Sequence, residues 1–187
     1  TLIFSSAGIH GDNTDGLGLV ADLTRNLGIR LAGRRILLIG AGGAARGVLL
    51  PLLQEHPAAL TLANRTAEKA LALREEFAPL AGSCAFQAGG FAGLAGRQQY
   101  DLVINATSAS LSDQAPQLPD GLYAPGGLAY DMVYGRMTPF LAEARAQGAA
   151  SLADGLGMLV EQAAESFFIW RGVRPDTAPV LELLRRS

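Results

Sequence analysis

The sequence predicts an α/β fold, a Rossmann-like doubly wound parallel sheet between two layers of helices (three-layer αβα), in one domain over residues 1–187. Three observations carry that expectation. Short, wholly apolar runs recur between glycines and charges, as strands covered on both faces do. Stretches of helical spacing alternate with them. A glycine-rich turn, GAGGAA (Gly40–Ala45), joins the clearest strand to the helix after it.

The elements follow in order. TDGLGLVADLTRNLG (Thr14–Gly28) spaces Leu17, Val20, Leu23 and Leu27 as one helix face, and Asp12 or Asp15 can cap it. RRILLIG (Arg34–Gly40) is a buried strand. AARGVLLPLLQEH (Ala44–His56) is a helix, with Pro51 set to kink it or mark its last turns. LTLAN (Leu60–Asn64) is the second strand and TAEKALALREEF (Thr66–Phe77) the second helix of this half, with Thr66 near its N-cap. After a glycine-rich stretch come two more buried strands, YDLVINATS (Tyr100–Ser108) and GLAYDMVY (Gly127–Tyr134). TPFLAEARAQG (Thr138–Gly148) opens on Pro139 and stops at Gly148, a helix by both signals. Two further helices, Leu156–Gly172 and Asp176–Arg186, complete the chain.

Composition narrows the class. With 49% apolar residues the 187-residue chain can bury one good core. Its net charge of -2 and scattered Lys and Arg give no basic field for nucleic acid. No run of about 18 apolar residues suggests a membrane span. One cysteine, Cys84, allows no internal disulfide and fits a reducing, cytoplasmic setting. His10 and His56 stand without ligand-spaced partners, so no metal site is expected. The assembly is left open, a homodimer included.

GAGGAA satisfies G-x-G-x-x-G/A between a strand and a helix, the dinucleotide-binding pattern. Gly40 permits the tight turn, Gly42 lets the backbone approach a pyrophosphate, and Ala45 allows close helix–strand packing. A carboxylate for the ribose of NAD is expected about 20 residues on. Here ANRT follows instead, and Arg65, Thr66 and Lys69 can meet a 2′-phosphate, which favours NADP. INATSAS (Ile104–Ser110) ends a buried strand in small polar residues, so Asn105, Thr107 and Ser108 stand where a cofactor crosses the sheet edge. In ADGLGML (Ala153–Leu159), Asp154 is a natural N-cap. Gly155 and Gly157 lower helix stability by about 1 kcal/mol each, a cost that a planar ring against the backbone would explain.

Taken together, NTDG, GAGGAAR, NRT, INATS, YDMVY followed by TP, and DGLGMLVEQA resemble shikimate dehydrogenases in order and spacing across the whole chain. The resemblance implies a two-domain NADP-dependent oxidoreductase that reduces 3-dehydroshikimate to shikimate in aromatic amino-acid biosynthesis. It implies that Gly40, Ala41, Gly42, Gly43 and Ala44 hold the pyrophosphate and that Asn64, Arg65, Thr66 and Lys69 hold the 2′-phosphate. Thr107, Ser108, Met132 and Gly155 would line the nicotinamide end. Thr14, Asp15, Tyr134 and Gln162 would face the substrate, with Asp15 one half of a catalytic pair. The pair's lysine belongs, in the family, to an N-terminal substrate domain. This chain resembles the portion after it, so residues 1–28 and 154–187 are expected to face that domain, and negligible turnover alone is expected. Two places depart from the family pattern. Ser110 stands where a glycine is usual, and the spacer from Tyr134 to Thr138 is one residue short and lacks Asn-Pro. Three rival readings remain: an NAD-using quinate/shikimate dehydrogenase, a non-catalytic NADP-binding module, and a folate-linked dehydrogenase, which DGLGMLVEQA disfavours.

Overall fold

The computed structural model describes residues 1–96, 98–107 and 114–186. Its centre is a six-stranded sheet with every neighbouring pair parallel. A hairpin of β1 (Leu2–Ser5) and β2 (Gly8–Gly11) precedes helix α1 (Asp15–Ala21), which runs into a π-helical stretch, Asp22–Asn26. Then come β3 (Arg35–Ile39), α2 (Gly43–Gln54), β4 (Ala59–Asn64), α3 (Ala67–Phe77) and β5 (Ala85–Gly90). The second half holds β6 (Tyr100–Asn105), β7 (Tyr123–Asp131), α4 (Pro139–Ala146), β8 (Ser151–Ala153), α5 (Leu156–Arg171) and α6 (Ala178–Arg186). The sheet order is β5-β4-β3-β6-β7-β8, so the two halves wind outward from β3 and β6. Ligands of such sheets bind at that switch point, outside the carboxyl ends of the strands.

Period-two alternation along β3 builds both faces. Ile36 and Leu38 join Leu19 and Leu23 near α1, Val48 and Leu52 of α2, Phe77 of α3 and Met158 of α5. Leu37 and Ile39 join Phe140, Leu141 and Ala144 of α4 on the other face. Each fully buried Leu or Ile contributes roughly 1.5–3 kcal/mol, so these rows supply much of the fold's stability. The three-layer expectation holds, with one layer heavier than the other.

Several boundaries differ from the sequence reading. Strand β6 stops at Asn105 rather than Ser108, and β7 starts at Tyr123 and stops at Asp131. Pro51 lies inside α2, in its last turn, where it cannot make the usual N–H bond to the Gly47 carbonyl. The predicted face of the first helix holds in its second half, where Leu23 is fully buried and Val20 and Leu27 pack against the core, and fails at its start. Leu17 is exposed, whereas Gly16, Gly18, Leu19 and Ala21 are buried. The physical reason is that α1 lies between α2 and α5, where small residues carry the contacts. A side chain at Gly16 would strike Pro51, and one at Gly18 would strike Gln162. Neither aspartate caps α1. Thr14 is the N-cap position, and Asn13 Oδ1 accepts the Asp15 amide at 2.9 Å.

Residues 1–28 are therefore not helical throughout. The hairpin is not helical, and α1 is interior. The exposed apolar surface here comes from Leu2, Phe4, Ile9, Phe167, Phe168 and Trp170. Trp170 Nε1 donates to the Leu2 carbonyl at 2.9 Å, folding the hairpin against the end of α5. Among the described residues no helix is long and apolar enough to cross a membrane.

Candidate cofactor and substrate site

The turn from β3 into α2 is an anion cradle built from bare backbone. Gly40 has φ +113°, and a Cβ there would lie 3.0 Å from the Ala106 carbonyl oxygen, so both handedness and crowding require glycine. Its amide is tied to the Ala63 carbonyl at 2.7 Å, which holds the turn against β4. Gly42 is the N-cap residue of α2, with no side-chain cap. A Cβ on Gly42 or Gly43 would meet no described atom within 4 Å. Packing among the described residues thus does not require those two glycines, and the amides of the first turn face open space at the positive end of the helix. Ala45 is fully buried against the sheet, as expected, Ala41 is half-buried against the same core, and Ala44 is exposed.

The next strand end supplies cations. Asn64 closes β4, and its Nδ2 donates to the Thr66 carbonyl at 2.9 Å, shaping the turn into α3. Thr66 is the N-cap residue of α3, yet its hydroxyl makes no cap bond. Arg65 and Lys69 are exposed, and among the described residues neither enters an ion pair. These residues gather at one corner of the carboxyl edge, beside the cradle.

The opposite side of the cradle is formed by the ends of β6, β7 and β8. Thr107 donates its amide and its hydroxyl to Asn105 Oδ1, at 3.1 and 2.8 Å. The Met132 amide donates to the Asn105 carbonyl at 3.1 Å, and the Gly155 amide to the Val133 carbonyl at 3.2 Å. Thr107, Met132 and Gly155 are therefore brought to one edge. Ser108 lies outside the described residues. Asn105 is fully buried and spends its side chain on Thr107 and Asp131, so it shapes this edge rather than facing a ligand.

The two glycines of the α5 start have a different cause from the ring proposed above. A Cβ on Gly155 would sit 2.2 Å from the Met132 carbonyl oxygen, and one on Gly157 would sit 1.8 Å from Asp22 Oδ1. The chain's own close packing requires both glycines. Gly155, not Asp154, is the N-cap residue of α5; Asp154 stands just before it, accepting the Leu156 amide at 3.3 Å and the Gly135 amide at 3.0 Å.

Of the substrate-side candidates, Asp15 opens α1 and Gln162 lies on α5 against Gly18, so the α1–α5 crossing brings both to one region. Thr14 is buried, with its hydroxyl 3.1 Å from that of Ser166, and it serves that crossing rather than an open site. Tyr134 is half exposed on the loop after β7, which Asp154 ties to the start of α5. The single lysine of the sequence, Lys69, stands on α3 at the basic corner, so Asp15 has no lysine beside it here.

Sequence reasoning missed three buried acids, Asp22, Asp131 and Glu161. Asp22 accepts Tyr130 Oη at 2.7 Å and Asn26 Nδ2 at 2.9 Å. Burial first, then the Asp22 carboxylate, pushes the Tyr130 phenol far above its ordinary value, so it stays a donor. Asp131 is fully buried at the end of β7. The available signal was an acid inside an otherwise apolar run, LAYDMVY.

Fold and cradle define a Rossmann-type domain with the glycine-rich turn of dinucleotide-binding folds. Residues 22–112 match the family model of shikimate / quinate 5-dehydrogenase, and residues 155–185 match that of the shikimate 5'-dehydrogenase C-terminal domain. The shikimate dehydrogenase (NADP(+)) of Aromatoleum aromaticum is 63% identical over 188 residues, covering 100% of this chain and 67% of the relative. An Ael1 enzyme from Pseudomonas putida superposes with TM-score 0.89 at 52% identity, covering 98% of this chain and 66% of that one. Shikimate 5-dehydrogenase from Thermus thermophilus, in complex with NADP(H) and shikimate, gives TM-score 0.80 at 34% identity, covering 99% and 66%. The chain belongs to the shikimate dehydrogenase family and spans about two thirds of the length of these relatives.

Proposed function

We propose that this chain is the NADP(H)-binding portion of a shikimate dehydrogenase, taking part in the reduction of 3-dehydroshikimate to shikimate. The observation that carries the reading is the pairing of two features at one sheet edge. Gly42 and Gly43 present backbone that no described residue covers, and Arg65 and Lys69, outside every described ion pair, stand one strand away. Such a cradle fits a pyrophosphate, and the basic corner fits the 2′-phosphate that distinguishes NADP from NAD. No carboxylate occupies the end of β4 to bind a free ribose, which weighs against an NAD-using quinate enzyme.

The bound cofactor supplies a hydride acceptor in one direction and a donor in the other. The chain's residues do the rest. Amides of Gly42, Gly43 and Ala44 bind the pyrophosphate. Arg65 forks onto the 2′-phosphate, with Asn64, Thr66 and Lys69 around it. Thr107, Met132 and Gly155 border the nicotinamide, and Ser108 is assigned there from its place in the INATS run that ends the strand. Asp15 accepts the hydrogen bond of the hydroxyl that becomes the ketone, and Gln162 and Tyr134 orient the ring that bears it. Thr14 supports Asp15 through its bond to Ser166 rather than by touching substrate.

The second group of the acid–base pair is a lysine from the remaining third of the enzyme. That portion would pack on the apolar groove lined by Leu2, Ile3, Phe4, Ile169 and Trp170, next to exposed Phe167 and Phe168. A solvent-facing groove of this kind, beside Asp15 on α1, is not what a free-standing cofactor module needs. The reading also fits a cytoplasmic enzyme, and it leaves a homodimer compatible with the free surfaces.

The chain by itself is expected to oxidise shikimate with NADP+ at a rate indistinguishable from the no-protein control. Adding the lysine-bearing remainder of the enzyme should restore turnover. Turnover by the chain alone would overturn the assignment of the second catalytic group to the remainder.

A further inference from the structure

Asn105, Asp131 and Thr138 are all fully buried where β6, β7 and α4 meet. Asn105 and Asp131 are register partners at the carboxyl ends of their strands. Asp131 Oδ1 accepts Asn105 Nδ2 at 3.2 Å and the Val133 amide at 3.1 Å, while Oδ2 accepts the Thr138 hydroxyl at 2.6 Å. The far end of Asn105 holds the amide and hydroxyl of Thr107. Thr138 in turn accepts the Leu141 amide at 3.3 Å as the N-cap of α4. One carboxylate therefore grips three segments at once: residues 105–107, residues 132–134 and the start of α4.

A buried carboxylate is a costly way to join three segments. Apolar groups of the same volume often stabilise a core as well or better, so stability alone does not call for an acid here. A carboxylate does provide two fixed acceptor oxygens that set distances and directions, which an apolar contact does not. Both loops that it fixes carry the residues assigned to the nicotinamide, Thr107 on one and Met132 on the other.

We propose that Asp131 is a positioning residue that locks these two loops into one rigid edge for the nicotinamide, and this rests on the NADP(H) reading above. The basic corner at Arg65 lies at the end of β4, with β3 between it and the network, so the adenosine half of the cofactor does not depend on it.

The test compares NADPH with adenosine 2′,5′-bisphosphate, which keeps the 2′-phosphate but lacks the nicotinamide. Thr138→Val removes the donor to Asp131, whereas Thr138→Ser keeps it. Asp131→Asn and Thr138→Val are each expected to weaken NADPH about tenfold while leaving the bisphosphate within about twofold. Thr138→Ser should match the parent chain for both ligands. Equal losses for the two ligands, or an unchanged NADPH affinity in folded Thr138→Val, would overturn the proposal. If Asp131→Asn does not fold, the Thr138 pair decides. A parent chain that binds neither ligand removes the cofactor reading itself, a result distinct from loss of selectivity in the variants.

Discussion

Arg65→Ala is expected to weaken NADPH binding about 30-fold and to leave NADH binding unchanged. An exposed ion pair contributes only about 0–1 kcal/mol, which would make the effect marginal. The 2′-phosphate is a dianion, however, and a guanidinium meets it with two parallel charge-assisted bonds, worth about 2 kcal/mol together at a partly exposed site. That energy corresponds to about 30-fold in the dissociation constant. Among the described residues no carboxylate pairs with Arg65, so none competes with the phosphate there. Fluorescence titration of both nucleotides onto the folded variant measures the effect. An NADPH affinity indifferent to Arg65→Ala would move the 2′-phosphate site elsewhere.

Gly157→Ala should destabilise the fold by about 3 kcal/mol or more, although alanine is the better helix former by about 1 kcal/mol. The new methyl would lie 1.8 Å from Asp22 Oδ1 and 2.2 Å from its Cγ, far inside contact distance. Asp22 cannot swing away without breaking its bonds. Its two oxygens are held by Tyr130 and Asn26, and moving it would strand a buried phenol and carboxylate. The clash must instead push α5 off α1, along the contact that Gly18 and Gln162 share. Urea unfolding reads the loss directly. Gly93→Ala is the control, since no described atom lies within 4 Å of that position, and it should change stability by less than about 0.5 kcal/mol. Equal stabilities for the two variants would mean that α1 and α5 are not packed this closely.

What was legible in the sequence follows from what each residue must satisfy locally. Strands β3, β4, β6 and β7 are buried on both faces, so their apolar runs announce them. Strand β5 reads AFQAGG, half exposed at the sheet's edge and rich in small residues, and it looks like the glycine-rich loop around it. Strand β8 is three residues long and has no pattern to offer. The hairpin keeps Leu2, Phe4 and Ile9 in solvent, so hydropathy misreads its environment. In α1 the closest contacts fall at Gly16 and Gly18, and a hydrophobic period cannot register residues with no side chain.

The candidate site divides the same way. GAGGAA and ANRT were readable because the chemistry of phosphate binding is written in backbone freedom and in local charge. Gly155 and Gly157 were assigned to a ligand because a sequence tells that space is needed but not who fills it. The Met132 carbonyl and Asp22 fill it. The Asp131 network was invisible for a related reason. Its members, Asn105, Asp131 and Thr138, come from a strand end, another strand end and a helix cap, and only the sheet order brings them together.

The NADP(H) assignment is tested most directly by titrating NADPH and NADH, side by side, onto the unmodified chain. Arg65, Thr66 and Lys69 acting together predict saturable NADPH binding at least about 100-fold tighter than NADH. Equal affinities for the two nucleotides, or binding of neither, would contradict the assignment.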